Sequence, residues 1–229
     1  MSDIRLVLLS CCAPCSTGAI RQLMDILQPC SITGSPLERG GSVADGVWFP
    51  DLNSYTDPSA RGEQVMLQNL NPKQLIDKIS DFIVLFYNPN VYPESEYQKR
   101  LAEQIKYCDA LGIKYATTDY NHDDWLGYIR GHESATERGA RCALCFEYRF
   151  KFGADWAAAH GYNAIASVLG ISRHKNQHQV DAAARTALQG RAIKYLPIKW
   201  DMNLHAKINR ESDFYRQNYC GCEFSQKFN

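Results

Sequence analysis

Apolar residues in this chain fall into short unbroken runs, separated by longer stretches in which they recur at helical spacing. The first run, Leu6-Val7-Leu8-Leu9, ends at once in Ser10-Cys11-Cys12-Ala13-Pro14-Cys15. A run of that length, stopped by small residues and proline, predicts a buried strand that empties into a loop. Ser16-Thr17-Gly18 is expected to cap a helix with Ile20, Leu23, Met24 and Leu27 on its apolar face. Phe82-Ile83-Val84-Leu85-Phe86-Tyr87 predicts a second strand, halted by Asn88-Pro89-Asn90. Glu94 to Leu111 reads as a helix with Tyr97, Leu101, Ile105, Cys108 and Leu111 along one face, ended by Gly112. A third strand begins at Ile113-Lys114-Tyr115-Ala116 and runs out into Asp119-Tyr120-Asn121-His122-Asp123-Asp124-Trp125. A short helix from about Trp125 to Arg130 and a polar passage, His132 to Arg141, lead to a long helix. Cys142 and Cys145 open it, and Phe146, Phe150, Trp156 and Ala159 continue it. Ala164 to Leu169 forms the fourth strand, Lys175 to Leu188 a helix, and Lys194 to Ile198 the last strand. A polar, aromatic tail runs from Ile208 to Phe224.

Strands alternating with helices imply an α/β protein: a Rossmann-like three-layer fold with a mainly parallel sheet and helices on both faces. At 229 residues the chain suits one catalytic domain, 1–229. Residues from about 30 to 78 interrupt the pattern. They hold Gly34, Gly40, Gly41, Gly46 and Gly62, four prolines from Pro29 to Pro58, and little apolar periodicity. This stretch reads as an insertion between the first and second βα units, docked on the body in part through Trp48, Phe49 and Tyr55.

Formal charge is zero, so no whole-protein field draws nucleic acid, and any such binding rests on a local patch. Arg173, Lys175, Lys207, Arg210 and Arg216, with Tyr215 and Tyr219, can form one; scattered surface charge explains them nearly as well. With no apolar run of membrane-spanning length and no signal peptide before the first strand, a cytoplasmic protein is expected.

Nine cysteines in a reducing compartment favour metal or redox chemistry over structural disulfides. Six fall in three tight clusters: Cys11-Cys12, Cys142-Ala-Leu-Cys145 and Cys220-Gly-Cys222. Adjacent thiols such as Cys11 and Cys12 do not bridge without strain, which makes two ligands aimed at one metal the better use. Cys142 and Cys145 lie one helical turn apart near a helix start. They suit a redox pair, half of a zinc site or half of an iron–sulfur site, or are two incidental cysteines. Joined with Cys11 and Cys12 they make four thiolates, the complement of a tetrahedral zinc or a four-iron cluster, above the carboxyl ends of strands one and three. Cys220-Gly-Cys222 can close a strained, easily reduced disulfide suited to an electron relay; the competing reading is an idle surface pair. Cys15 is either a spare ligand or a wall of the site, Cys30 is incidental, and Cys108 lies on an apolar stripe as a core thiol.

Histidine says less. His174 and His178 can share a helix face, more readily as a solvated one. His122, among Asp119, Asp123 and Asp124, can serve a second metal or handle protons, although a capped, solvated loop is the simpler reading. No Gly-x-Gly-x-x-Gly follows a strand, so nicotinamide and flavin are not indicated.

Five motifs in order carry a resemblance. Ser10-Cys-Cys-Ala-Pro-Cys15, Phe86-Tyr-Asn-Pro-Asn90, Glu137-Arg-Gly-Ala-Arg-Cys-Ala-Leu-Cys-Phe146, Leu169-Gly-Ile-Ser-Arg-His-Lys175 and Phe214-Tyr-Arg-Gln-Asn-Tyr-Cys-Gly-Cys222 together resemble the QueH-type epoxyqueuosine reductases. The resemblance implies removal of the epoxide oxygen from epoxyqueuosine in the anticodon loop of tRNA, the last step of queuosine synthesis. It implies a [4Fe-4S] cluster on Cys11, Cys12, Cys142 and Cys145, an additional mononuclear iron nearby, and Cys220 with Cys222 as the redox-active pair. Electrons are expected from an external donor. Two other classes compete. One is a tRNA sulfur-transfer enzyme of related fold, although Ser10-Cys11-Cys12 stands where such enzymes carry a Ser-Gly-Gly pyrophosphate loop. The other is a non-catalytic zinc or iron–sulfur redox sensor.

Overall fold

The computed structural model describes residues 3–27 and 78–228. The expected insertion, and Cys30 with it, lies outside the described residues apart from Lys78.

Among the described residues, five strands make one all-parallel sheet: β1 (Ile4–Ser10), β2 (Ile79–Phe86), β3 (Tyr115–Thr117), β4 (Ala164–Ser167) and β5 (Lys194–Tyr195), in the order β3-β2-β1-β4-β5. The chain builds outward from β1 through β2 to β3, then returns to the other side of β1 for β4 and β5. The reversal between β1 and β4 is the switch point at which such sheets open a crevice at their carboxyl edge. Leu6 pairs with Phe82 on one side and with Ala164 on the other. Covered on both faces, β1 buries every residue except Arg5, which is why it reads as an unbroken apolar run.

The helices are α1 (Ala13–Leu27), α2 (Glu94–Leu111), α3 (His122–Tyr128), α4 (Ala140–Ala159), α5 (Gln177–Ala187) and α6 (Met202–Arg210), with 3-10 turns at Leu169–Ile171 and Glu223–Phe228. The expected α2 agrees to the residue, and Gly112 closes it in the left-handed conformation at φ 64°. The last strand is shorter than expected, because only Lys194 and Tyr195 pair with β4. α1 departs from expectation at its start. It begins at Ala13, so Ser16–Gly18 lie inside it, and the Ser16 hydroxyl donates back to the Cys12 and Ala13 carbonyls rather than capping. α6 has no counterpart among the expected elements. No residue of it is buried, but the Asp201 carboxylate caps it by accepting from the Asn203 and Leu204 amides.

Two glycines set helices where the site needs them. A Cβ on Gly153 would sit 2.8 Å from Ile165 Cδ1 and 3.1 Å from Leu9 Cδ2, so its absence lets α4 lie flat on β1 and β4. A Cβ on Gly18 would meet His205 Cβ at 2.8 Å, so α6 packs closely across α1. Fully buried Leu6, Val7, Leu8 and Leu9 hold the centre, each contributing roughly 1.5–3 kcal/mol by burial.

Candidate active site

β1 delivers Ser10 to the switch-point edge, and a web of buried polar contacts fixes the turn into α1. The Gln104 carbonyl oxygen on α2 accepts from the Ser10 hydroxyl at 2.6 Å and from the Ser16 hydroxyl at 2.9 Å. The Asn88 amide donates to the Ser10 carbonyl at 3.0 Å. Strand end and first helical turn are thereby clamped together, and between them stand Cys11, Cys12 and Cys15. Their sulfurs lie within 4.8 Å of one another, with Cys11 and Cys12 3.9 Å apart. Cys12 and Cys15 both donate to Cys11, which holds its thiol well below the usual range; Lys175 and Arg149 add to this against burial. The two donors are pushed up for the same reason, because each keeps the proton it lends to Cys11. The triad thus carries one thiolate readily, and releasing further protons calls for a cation.

The other thiol pairs meet in a cavity with about 370 Å³ of open space, mouth included, lined by Cys142, Cys145, Cys220 and Cys222 together with His174 and Lys175. Cys142 accepts from the Arg138 amide at 3.3 Å, a contact made by a backbone at φ 64°, unusual for a side-chain-bearing residue. Burial pushes Cys145 up to about 12 and Cys222 up to about 11, and raises Cys142 as well. All four are free thiols. The Cys220 loop is anchored by α2: Arg100 donates from Nε to Glu96 at 2.8 Å and from Nη1 to the Cys220 carbonyl at 3.1 Å. Gly221 between the two cysteines has φ 107°, and a Cβ there would lie 2.5 Å from the Arg100 guanidinium. The Cys-Gly-Cys spacing therefore admits glycine alone at its centre.

Three side chains tie the groups together. Arg149, 1% exposed on α4, donates to the Tyr87 carbonyl and the Asn88 side chain, and its charge reaches both Cys11 and Cys145. Burial pulls the Lys175 ammonium down, but Cys11 and Cys220 outweigh it and hold it above its ordinary value. Gln217 in the tail donates to Cys12 Sγ at 3.2 Å, so the segment that carries Cys220 and Cys222 also touches the triad.

Several expectations need correcting. The second thiol pair comes from the start of α4, the crossover helix that packs on β1 and β4, and Cys145 there packs with Trp125 and Ile129 of the segment after β3. Lys175 is no part of a surface patch, because it lines the thiol cavity. Arg216 donates to the Asn209 and Ser212 carbonyls at the end of α6. His174 precedes α5, so it shares no helix face with His178. His122 is buried rather than solvated: Nδ1 donates to the Pro89 carbonyl at 2.7 Å, and its ring stacks on Tyr92 and Tyr120. Asp123 and Asp124 are exposed in the first turn of α3, where the helix dipole favours them. Among the described residues the Cys11, Cys12 and Cys15 group alone has metal-binding geometry. Cys15, unassigned from the sequence, completes it. Arg149 is a site residue that the sequence reading does not single out; its signal is a charge, with Arg141, on the buried stripe of α4. Cys108 is fully buried in the core, as expected.

Residues 68–228 match the model of a family described as "Epoxyqueuosine reductase QueH". A protein of that name from Acinetobacter baylyi is 37% identical over 150 residues, 63% of this chain and 69% of that protein. Those from Haemophilus influenzae and Histophilus somni are 37% and 36% identical over 154 residues each, 63% of this chain. The match spans 61% and 62% of those two relatives. With a family match that takes in Cys142, Cys145, Cys220 and Cys222 and covers most of its length, this chain belongs to the epoxyqueuosine reductase QueH family.

Proposed function

We propose that this chain reduces epoxyqueuosine in the anticodon loop of tRNA to queuosine, with the whole of 1–229 acting as one catalytic domain in the cytoplasm. The observation that carries the reading is a pair of thiol groups, Cys11, Cys12 and Cys15 in the turn after β1 and Cys142, Cys145, Cys220 and Cys222 around the cavity, linked by the charges of Arg149 and Lys175. The reaction takes up two electrons and two protons, breaks both C–O bonds of the epoxide, and leaves an alkene and water.

The donor set suits a soft metal centre. Cys11, Cys12, Cys142 and Cys145 would hold a [4Fe-4S] cluster, and Cys15, beside Cys11 and Cys12, would be a further thiol for an additional mononuclear iron. When bound, such a centre supplies electrons singly, and an iron with an open position polarises a C–O bond. The protein's own groups do the rest. Lys175 and Arg149 offset the negative charge of the gathered thiolates, which lowers the cost of burying them. Cys220 and Cys222, reduced here, carry the two electrons and two protons that the reaction consumes; closing to a disulfide releases both, and an external donor reopens it. Gly221 and the Arg100 contact hold the two thiols at the cavity.

The test is an oxygen-free assay of reconstituted protein with epoxyqueuosine-containing tRNA and a chemical reductant, read by nucleoside mass spectrometry. Queuosine is the expected product. A colourless protein that binds one zinc and leaves the epoxide intact would refute the proposal.

A further inference from the structure

The cavity between the thiols has a second wall that thiol chemistry does not account for. Asn90 Oδ1, Trp125 Nε1, and Arg141 Nε and Nη2 are buried atoms with no hydrogen-bond partner among the described residues. All three residues line the cavity, and they are 2%, 0% and 2% exposed. Gln179 Oε1, from another residue lining the cavity, is also unpaired. Such atoms are uncommon in folded proteins, and several around one cavity point to an occupant that satisfies them.

Their surroundings hold them in place. Arg141 is fixed through Nη1, which donates to the Glu133 and Ala135 carbonyls, and its guanidinium lies over the Phe224 ring. Nε and Nη2 are left for something else. Gln179 donates Nε2 to the Arg138 and Gly139 carbonyls at 2.9 Å each, which settles that its oxygen is the free end. Trp125 packs its ring with Ile129, Cys145 and Cys222 while its N–H stays unmatched.

The mixture of donors and acceptors narrows the occupant. Sulfide, thiolate and phosphate offer acceptors alone, so they can answer Trp125 and Arg141 but not Asn90 and Gln179. Hydroxyl groups both donate and accept. We infer that Asn90, Trp125, Arg141 and Gln179 form a recognition surface for a small hydroxylated ring, gripping its hydroxyls in the cavity that the thiols also line. This rests on the epoxyqueuosine reading and names the residues that select and position the hydroxylated ring of that nucleoside.

The test is binding by the metal-loaded protein to two anticodon stem–loops that differ only in queuosine or guanosine at the modified position. Wild type is expected to prefer the queuosine loop. Asn90→Ala and Trp125→Phe should each cut that preference about 10-fold or more, with the guanosine-loop affinity and the visible absorption spectrum unchanged. Gln179→Ala, on a less buried residue, is expected to behave in the same way and carries the test should Trp125→Phe not fold. If wild type reduces the epoxide and prefers the queuosine loop, but the folded variants keep that preference, the wall holds water alone and the inference fails. If wild type loaded with iron and sulfide neither turns over nor discriminates, the functional reading itself fails.

Discussion

The two thiol groups are built differently. Cys11, Cys12 and Cys15 sit in one strand-to-helix turn, held by Gln104 and Asn88, with their sulfurs already close enough to share one proton-deficient site. Cys142, Cys145, Cys220 and Cys222 come from a helix start and a tail loop and face open space, where burial pushes the Cys142, Cys145 and Cys222 thiols up. The first group has its three sulfurs close enough to share one ion, and the second lines a cavity. The difference teaches that three close thiols can come from local chain geometry alone, whereas a thiol-lined cavity is assembled from segments far apart in sequence.

Breaking either side of that pairing should give the largest effect. Cys11→Ala and Cys145→Ala are each expected to abolish cluster assembly and activity, read from visible absorption and product formation. A cluster that survives Cys145→Ala would restrict the metal to the first group. Cys222→Ala is expected to keep the cluster and fail at repeated turnover; normal multiple turnover would remove the relay role.

Subtler changes should separate the groups. Gln104→Ala strips the acceptor from the Ser10 and Ser16 hydroxyls, and is expected to cost about 2 kcal/mol and weaken metal binding at the triad. Gly221→Ala forces a side chain into a left-handed conformation against Arg100 and is expected to cost about 1–3 kcal/mol. It should slow turnover while leaving metal content intact. Denaturant titration and metal analysis decide both, and equal loss of metal in the two variants would erase the distinction.

The smallest effect concerns pH. Burial holds Cys145 up to about 12, and Cys142 is raised as well, so both carry protons at neutrality that a metal must displace. Metal affinity should therefore climb steadily from about pH 6.5 to about pH 8.5 in chelator competition. Affinity that stays flat over this window would mean that the metal does not use these thiols.

Much of this was legible in the sequence. β1 and β2 declared themselves by apolar runs, α2 by its stripe and Gly112, and the thiols by their clustering. What escaped did so for physical reasons. α2 buries Glu96, Arg100 and Gln104 against the two cysteine loops, but polar residues read as exposed until their distant partners are known. α6 lacks any buried residue, and its place depends on a cap and on the close approach of His205 to Gly18, a contact across most of the chain. Lys175 and His122 looked solvated because their surroundings come from other elements.

The central claim is that the two thiol groups hold one iron–sulfur centre. Electron paramagnetic resonance of the reduced, anaerobically reconstituted protein tests it most directly. A four-iron signal is expected in wild type and in Cys222→Ala, and absent from both Cys11→Ala and Cys145→Ala. Persistence of that signal in Cys145→Ala, or a wild-type protein holding zinc at the Cys11, Cys12 and Cys15 triad alone, would contradict it.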